Sequence, residues 1–185
     1  MRDKREKVLN KIDMKPAGNM EKSYANKLGI RLPENATQSD AKALIARDLD
    51  NDEQASSSLL EYARRKGMLC SDYIGNKALH NQLFDNLPER DKINFFCFCI
   101  YKFYWEDRNE DLENHPKKEL FETFGEQFER DSYFKASMEE YLGEELVAFG
   151  KSKKIVNGTH KTIYGGSAHT RAHNEAYKYL KSNEN

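Results

Sequence analysis

The stretch Ile93-Asn-Phe-Phe-Cys-Phe-Cys-Ile-Tyr-Lys-Phe-Tyr-Trp105 constrains the fold more than any other part of the chain, because only Asn94 and Lys102 in it are strongly polar. A helix apolar almost all the way round belongs at the centre of a bundle, where neighbours cover every face. A strand is the rival reading. The run is longer than the usual strand, however, and Pro88-Glu-Arg-Asp-Lys92 reads as a helix start. The pattern therefore predicts a mainly α fold: a helical bundle around a buried central helix at about 90–105, with a small C-terminal β-hairpin and terminal helix.

Around this segment the other elements read as amphipathic. Thr37-Gln-Ser-Asp40 is a capping-box-like start for a helix over 38–49, with Ala41, Leu44, Ile45 and Leu49 at helical spacing. Helices over about 20–28, from Leu59 to Gly67 and over 74–86 complete the first half. Helices over about 116–129 and 132–149 follow the central one, carrying Phe121, Phe124 and Phe128, then Phe134, Met138, Tyr141, Leu142, Leu146 and Phe149. Asn157-Gly158 between β-prone residues is the hairpin signal. Ser167 is expected to cap the last helix, which carries Ala168, Ala172, Ala176 and Leu180 on one face.

The organisation expected is a charged N-terminal arm over 1–16 with a short polar helix at 2–12, a small helical module over 17–87, and a helical core with a hairpin and helix over 88–185. Within the module Tyr24-Ala-Asn-Lys-Leu-Gly-Ile30 is echoed 38 residues later by Tyr62-Ala-Arg-Arg-Lys-Gly-Met68. Two basic helix ends, each closed by glycine, suffice to explain such an echo, and two copies do not establish a repeat. A chain of 185 residues with 10 Phe, 10 Tyr and one Trp buries a sizeable core, and a charged fraction of 33% implies a highly charged exterior.

No run of about 18 apolar residues is present, so a cytoplasmic protein is expected. Cys70, Cys97 and Cys99 are too few and too oddly placed for a disulfide framework, and reduced thiols are expected. Cys97 and Cys99 diverge around a helix and read as core, and Cys70 reads as open to solvent.

The net charge of −1 conceals segregation. Residues 1–31 and 151–185 each carry about +5, whereas residues 106–145 carry about −9. Anions are thus attracted to the two ends, unless these fold back on the acidic middle. The C-terminal cations and the glycine-rich helix start make the candidate nucleic-acid-binding set: Lys151, Lys153, Lys154, His160, Lys161, Gly165, Gly166, Ser167, Arg171 and Lys178. Glycines admit a phosphate close to the backbone, and helix-start N–H groups bind anions. The Walker pattern is absent.

Glu106, Asp107, Glu110, Asp111 and Glu113 form the alternative, a protein-binding surface that imitates nucleic acid. They lack the spacing and glycine of a calcium loop. His169 and His173 share a helix face as zinc ligands would, but HTRAH lacks the glutamate of the zinc-protease motif. Helix surface or phosphate contact is expected there, with no metal, no cofactor and no catalytic residue.

Residues 20–49, with Tyr24 to Ile30, Pro33, Thr37 and Leu44-Ile45, resemble short helical modules attached to DNA-metabolism proteins of phages and mobile elements, including those with HIRAN domains. Leu59 to Leu83 is similar to the SAP helix-extension-helix module in Gly67-Met68, Ser71, Gly75 and Lys77, although Ser71 and Gly75 stand further apart than that family tends to place them. The resemblance implies a DNA-associated or phage-encoded setting and assigns no residue a role. The function expected is that of a non-enzymatic binding protein contacting nucleic acid through its basic termini. The alternative is a protein–protein inhibitor of a host defence nuclease, anti-CRISPR in kind, acting through the acidic 106–145 surface.

Overall fold

The computed structural model describes residues 14–149, 151–156, 159–164 and 166–184, without the side chains of 151–156, 160–164 and 166. The expected N-terminal helix at 2–12 lies outside the described residues. The fold is mainly helical, and no described helix is long and apolar enough to cross a membrane. The chain divides into two compact units, Met1–Leu79 and His80–Asn185.

The first unit is built from one pattern used twice. In the first copy α1 (Asn19–Lys27) and α2 (Gln38–Leu49) are joined by a non-helical link, and the segments that lead into the two helices pair in an antiparallel bridge between Pro16 and Thr37. Ala17 N donates to Ala36 O at 2.8 Å and Gln38 N to Lys15 O at 2.8 Å. Thirty-eight residues on, α3 (Ser57–Arg65) and the start of α4 (Asn76–Asn86) repeat this, with a bridge between Gln54 and Gly75. Ala55 N donates to Ile74 O at 2.9 Å and Asn76 N to Glu53 O at 2.7 Å. Both first helices end on a left-handed glycine, Gly29 at φ 74° and Gly67 at φ 79°, a conformation that costs glycine least. The next N–H returns to a buried alanine in each copy, Ile30 to Ala25 and Met68 to Ala63. The echo is thus a true structural repeat, and the helix-end explanation is too narrow.

The copies solve their second helix start differently. Thr37 accepts from Asp40 N at 3.1 Å while Asp40 accepts from Thr37 N at 3.0 Å, the expected capping box. Gly75 stands where Thr37 would recur and has no side chain to offer. Asp52 serves instead, its carboxylate accepting from Lys77 N and Ala78 N at 3.1 Å each. A Cβ on Gly75 would overlap that carboxylate, so the glycine is the condition for the cap.

In the second unit α5 (Glu89–Trp105) is the central helix. It begins directly after Pro88, with Glu89 and Asp91 in its first turn, where carboxylates favour the helix dipole. Ile93 to Ile100 are buried without interruption. The burial stops there, and the residues from Tyr101 to Trp105 are partly or largely open, so the last turn is not core as the apolar run suggests. Tyr and Trp tolerate this because each joins a large apolar ring to a polar tip.

Helix α6 (Lys118–Phe128) lies against α5, and Gly125 lets the two approach, since a Cβ there would overlap the amide of Asn94. The Asn94 NH2 donates to Phe121 O and Arg90 O, 3.1 Å each, which satisfies a buried polar group in an aromatic core. Phe96 meets Phe134, Tyr141 and Phe149 edge to face.

The expected helix over 132–149 is two helices, α7 (Ser132–Glu139) and α8 (Gly143–Ala148). Leu142 is extended between them and points to solvent rather than the core, while Tyr141 turns inward until its ring centroid lies 4.9 Å from that of Phe96. The final helix α9 (Arg171–Ser182) packs Ala172, Ala176 and Leu180 inward against α5 and α7. Its cap is Thr170, whose hydroxyl accepts from His173 N at 3.2 Å, and not Ser167. Ser167 lies in a short 3-10 turn, Gly166–His169.

Where the hairpin was expected, the backbone segments Lys151–Val156 and Thr159–Tyr164 run antiparallel, and Asn157 and Gly158 lie outside the described residues.

Candidate nucleic-acid interface

The last turn of α5 and the outer face of α9 together make an aromatic surface. Tyr101, Tyr104 and Trp105 are three and four residues apart and so fall on one helix face. Tyr101 and Trp105 stack, centroids 5.2 Å apart and rings 12° from parallel. Tyr177 of α9 lies 4.6 Å from Tyr104 and 6.2 Å from Trp105. Two lysines cover ring faces from outside, Lys117 over Tyr101 at 5.7 Å and Lys181 over Tyr177 at 5.8 Å. The Trp105 indole N–H donates to Glu184 at 2.8 Å.

His173 holds this surface from beneath. It is buried among Tyr104, Phe149 and Tyr177, and its Nε2 shares a hydrogen bond of 3.1 Å with the Tyr104 hydroxyl. Burial, helped by His169 nearby, pushes its pKa down to about 4, so the ring is neutral near pH 7 and adds no charge. The same burial raises the Tyr104 hydroxyl, which stays protonated. His173 is therefore neither helix surface nor a phosphate contact, and among the described residues no group of three metal-ligating side chains comes together.

Of the expected binding residues only Ser167, Arg171 and Lys178 have described side chains. Lys151, Lys153, Lys154, His160 and Lys161 have side chains outside the described residues; by register Lys154 stands opposite Lys161. Gly165 also lies outside them, and Gly166 opens the 3-10 turn. Ser167 is buried, with its Oγ unpartnered among the described residues and its carbonyl accepting from the Tyr141 hydroxyl. It offers nothing to a phosphate. Arg171 is exposed but bonded to Asp131 at 2.6 Å and set over the Tyr133 ring at 5.7 Å. Lys178 is exposed on α9, one turn before Lys181.

Four of the five acidic residues are bonded to their own loop or to the helices that flank it. Burial would raise the Asp107 carboxyl, but the Asn109 N–H and His115 Nε2, both at 2.8 Å, outweigh it and hold the pKa below the usual range. Glu110 pairs with Lys102 at 2.7 Å, and Glu113 with Lys118 at 2.7 Å. Asp111 is buried and accepts from Glu113 N and Asn114 N. Glu106 is exposed, in left-handed backbone at the end of α5.

The three cysteines are free and all buried, Cys70 included, so the expected exposure of Cys70 is corrected. Burial raises Cys99 to about 12 and Cys97 well above its ordinary value. Compared with family models, with curated proteins and with solved structures, the chain has no significant match.

Proposed function

We propose that the protein binds nucleic acid, and that the aromatic surface of α5 and α9 receives unpaired bases while the C-terminal cations hold the backbone. The observation that carries this reading is the grouping of Tyr101, Tyr104, Trp105 and Tyr177 beside Lys117 and Lys181. Every base has a π face, so stacking on such rings binds single strands with little regard to sequence. Lysine over a ring face is readily displaced by a base, and the freed ammonium then lies within reach of the adjacent phosphate.

Lys178 and Lys181 extend the cationic line along α9. A hairpin carrying Lys151, Lys153, Lys154, His160 and Lys161 would lengthen it. The paired helix-extension-helix of the first unit fits the resemblance to SAP and HIRAN-associated modules, and with it a phage or mobile-element setting in a cytoplasm. The inhibitor reading is the weaker because Asp107 and Asp111 are bonded within their own loop and Glu110 and Glu113 to Lys102 and Lys118 of the flanking helices, which leaves less free charge to imitate a phosphate row.

Trp105 is the sole tryptophan, so its fluorescence reports the surface directly. Titration with a single-stranded oligonucleotide at low salt is expected to quench it saturably, and more strongly than an equal duplex. Absence of any binding at low salt, where attraction is least screened, would remove the proposal.

A further inference from the structure

We infer that the face of α1 and α2 in the first copy is a docking surface for an amphipathic helix of another protein, with bulky apolar residues on one side and carboxylates beside them. Between α1 and α2 lies an open groove of about 700 Å³ lined by Met20, Tyr24, Ile45, Ala46 and Leu49, with Lys27 and Lys42 at its edge. Met20 is 83% exposed and Leu49 56%, a concentration of apolar surface in one place rather than scattered side chains.

The repeat shows what such a face is for. At the offset of 38 residues the exposed Tyr24 and Leu49 correspond to Tyr62 and Leu87, both buried, while Ile45, already buried, corresponds to the buried Leu83. The last turns of α4 are covered by the chain's own next helix: Phe84 packs against Phe96 of α5 at 6.3 Å. The first copy has the same apolar positions and no such helix of its own among the described residues. Moreover Ala46 stands where Phe84 would recur, so the first copy lacks the ring that the second presents there, and an incoming aromatic or leucine side chain would supply it.

Charge selects the occupant. Neither Lys27 nor Lys42 is paired with a carboxylate among the described residues, and the one acid in the groove, Glu21, is turned back to accept from Gly18 N at 3.1 Å. A second copy of this chain, joined face to face, would set these lysines against their own equivalents. A nucleic acid would find aliphatic side chains where it needs a cationic track. A helix with carboxylates flanking its apolar stripe meets both requirements.

The test uses the full chain and labelled amphipathic helical peptides of about 20 residues bearing a Phe/Leu stripe, flanked in one by Glu and in the other by Lys. Fluorescence anisotropy is expected to show saturable binding of the Glu-flanked peptide, about tenfold or more tighter than its Lys-flanked twin. Leu49→Asp should weaken it by a similar factor without shifting thermal unfolding, since Leu49 lies open. Lys27→Glu with Lys42→Glu should reverse the preference. Equal binding of both peptides, no binding, or indifference to Leu49→Asp would overturn the inference. So would a sedimenting dimer that Leu49→Asp dissolves, which would assign the face to a second copy, or loss of oligonucleotide binding in that variant. Oligonucleotide binding unchanged in Leu49→Asp keeps this result separate from the fate of the nucleic-acid proposal.

Discussion

The carboxylate of Asp52 occupies the space that a side chain at Gly75 would need, and from there it caps the helix that Gly75 precedes. Gly75→Ala must displace either the cap or the backbone and is expected to lower stability by about 1 to 3 kcal/mol. Asp52→Ala should cost about 1 kcal/mol as a lost cap. The pair should be far from additive, because shortening Asp52 removes the carboxylate that the new methyl overlaps and leaves only the Cβ of residue 52 at 3.0 Å. Urea denaturation of the two single variants and the double variant measures this, and additive losses would contradict it.

Phe96 is wholly buried and touches Phe134, Tyr141 and Phe149 at once. Phe96→Ala removes a ring that three others enclose, and should cost about 3 to 5 kcal/mol from the transfer and cavity contributions. A loss under about 1 kcal/mol on chemical denaturation would mean that the centre of the second unit lies elsewhere.

His173 makes stability depend on pH in a defined window. Its folded pKa of about 4 lies below the ordinary histidine value of 6.5, so between those values the unfolded chain binds the proton and the folded one does not. The contribution is complete above about pH 6.5 and declines as the pH falls towards 4. In His173→Phe, which suits the surrounding rings, the fall in melting temperature between pH 7 and pH 5 should be visibly smaller than in the parent protein. An identical fall in both would show that His173 does not titrate in this range.

On the nucleic-acid proposal, Lys181→Glu should weaken binding to all single-stranded sequences alike, because phosphate contacts hold charge and no base information. The log–log salt slope should fall by about one. Tyr104→Ala should weaken binding with the slope unchanged, since it removes stacking and no charge. Fluorescence titration over a salt series separates the two effects.

The central helix was legible because eight consecutive buried residues leave a mark that no half-exposed element has. The Thr37 box was legible because capping is a local pattern. The repeat was nearly hidden. Its copies share Ala17 with Ala55, Tyr24 with Tyr62, Ala25 with Ala63, Gly29 with Gly67 and Leu49 with Leu87, while most of the correspondence resides in backbone bonds that any side chain permits. The break at Leu142 was invisible because the apolar spacing runs through it, and only the approach of Tyr141 to Phe96 shows why the chain turns. The aromatic surface joins Trp105 to Tyr177, far apart in sequence, so no local window holds it; the hint lay in tyrosine and tryptophan closing an otherwise phenylalanine-rich run. The charged residues misled in the opposite sense. Counting Asp111, Glu113 and Arg171 as available charge overlooked partners that folding brings beside them.

Because Ala172, Ala176 and Leu180 complete the packing around α5, the aromatic centre made early in synthesis stays open until almost the last described helix has left the ribosome. A transcript cut short before codon 180 would yield a product with its phenylalanines bare, the kind of surface that chaperones hold and proteases remove.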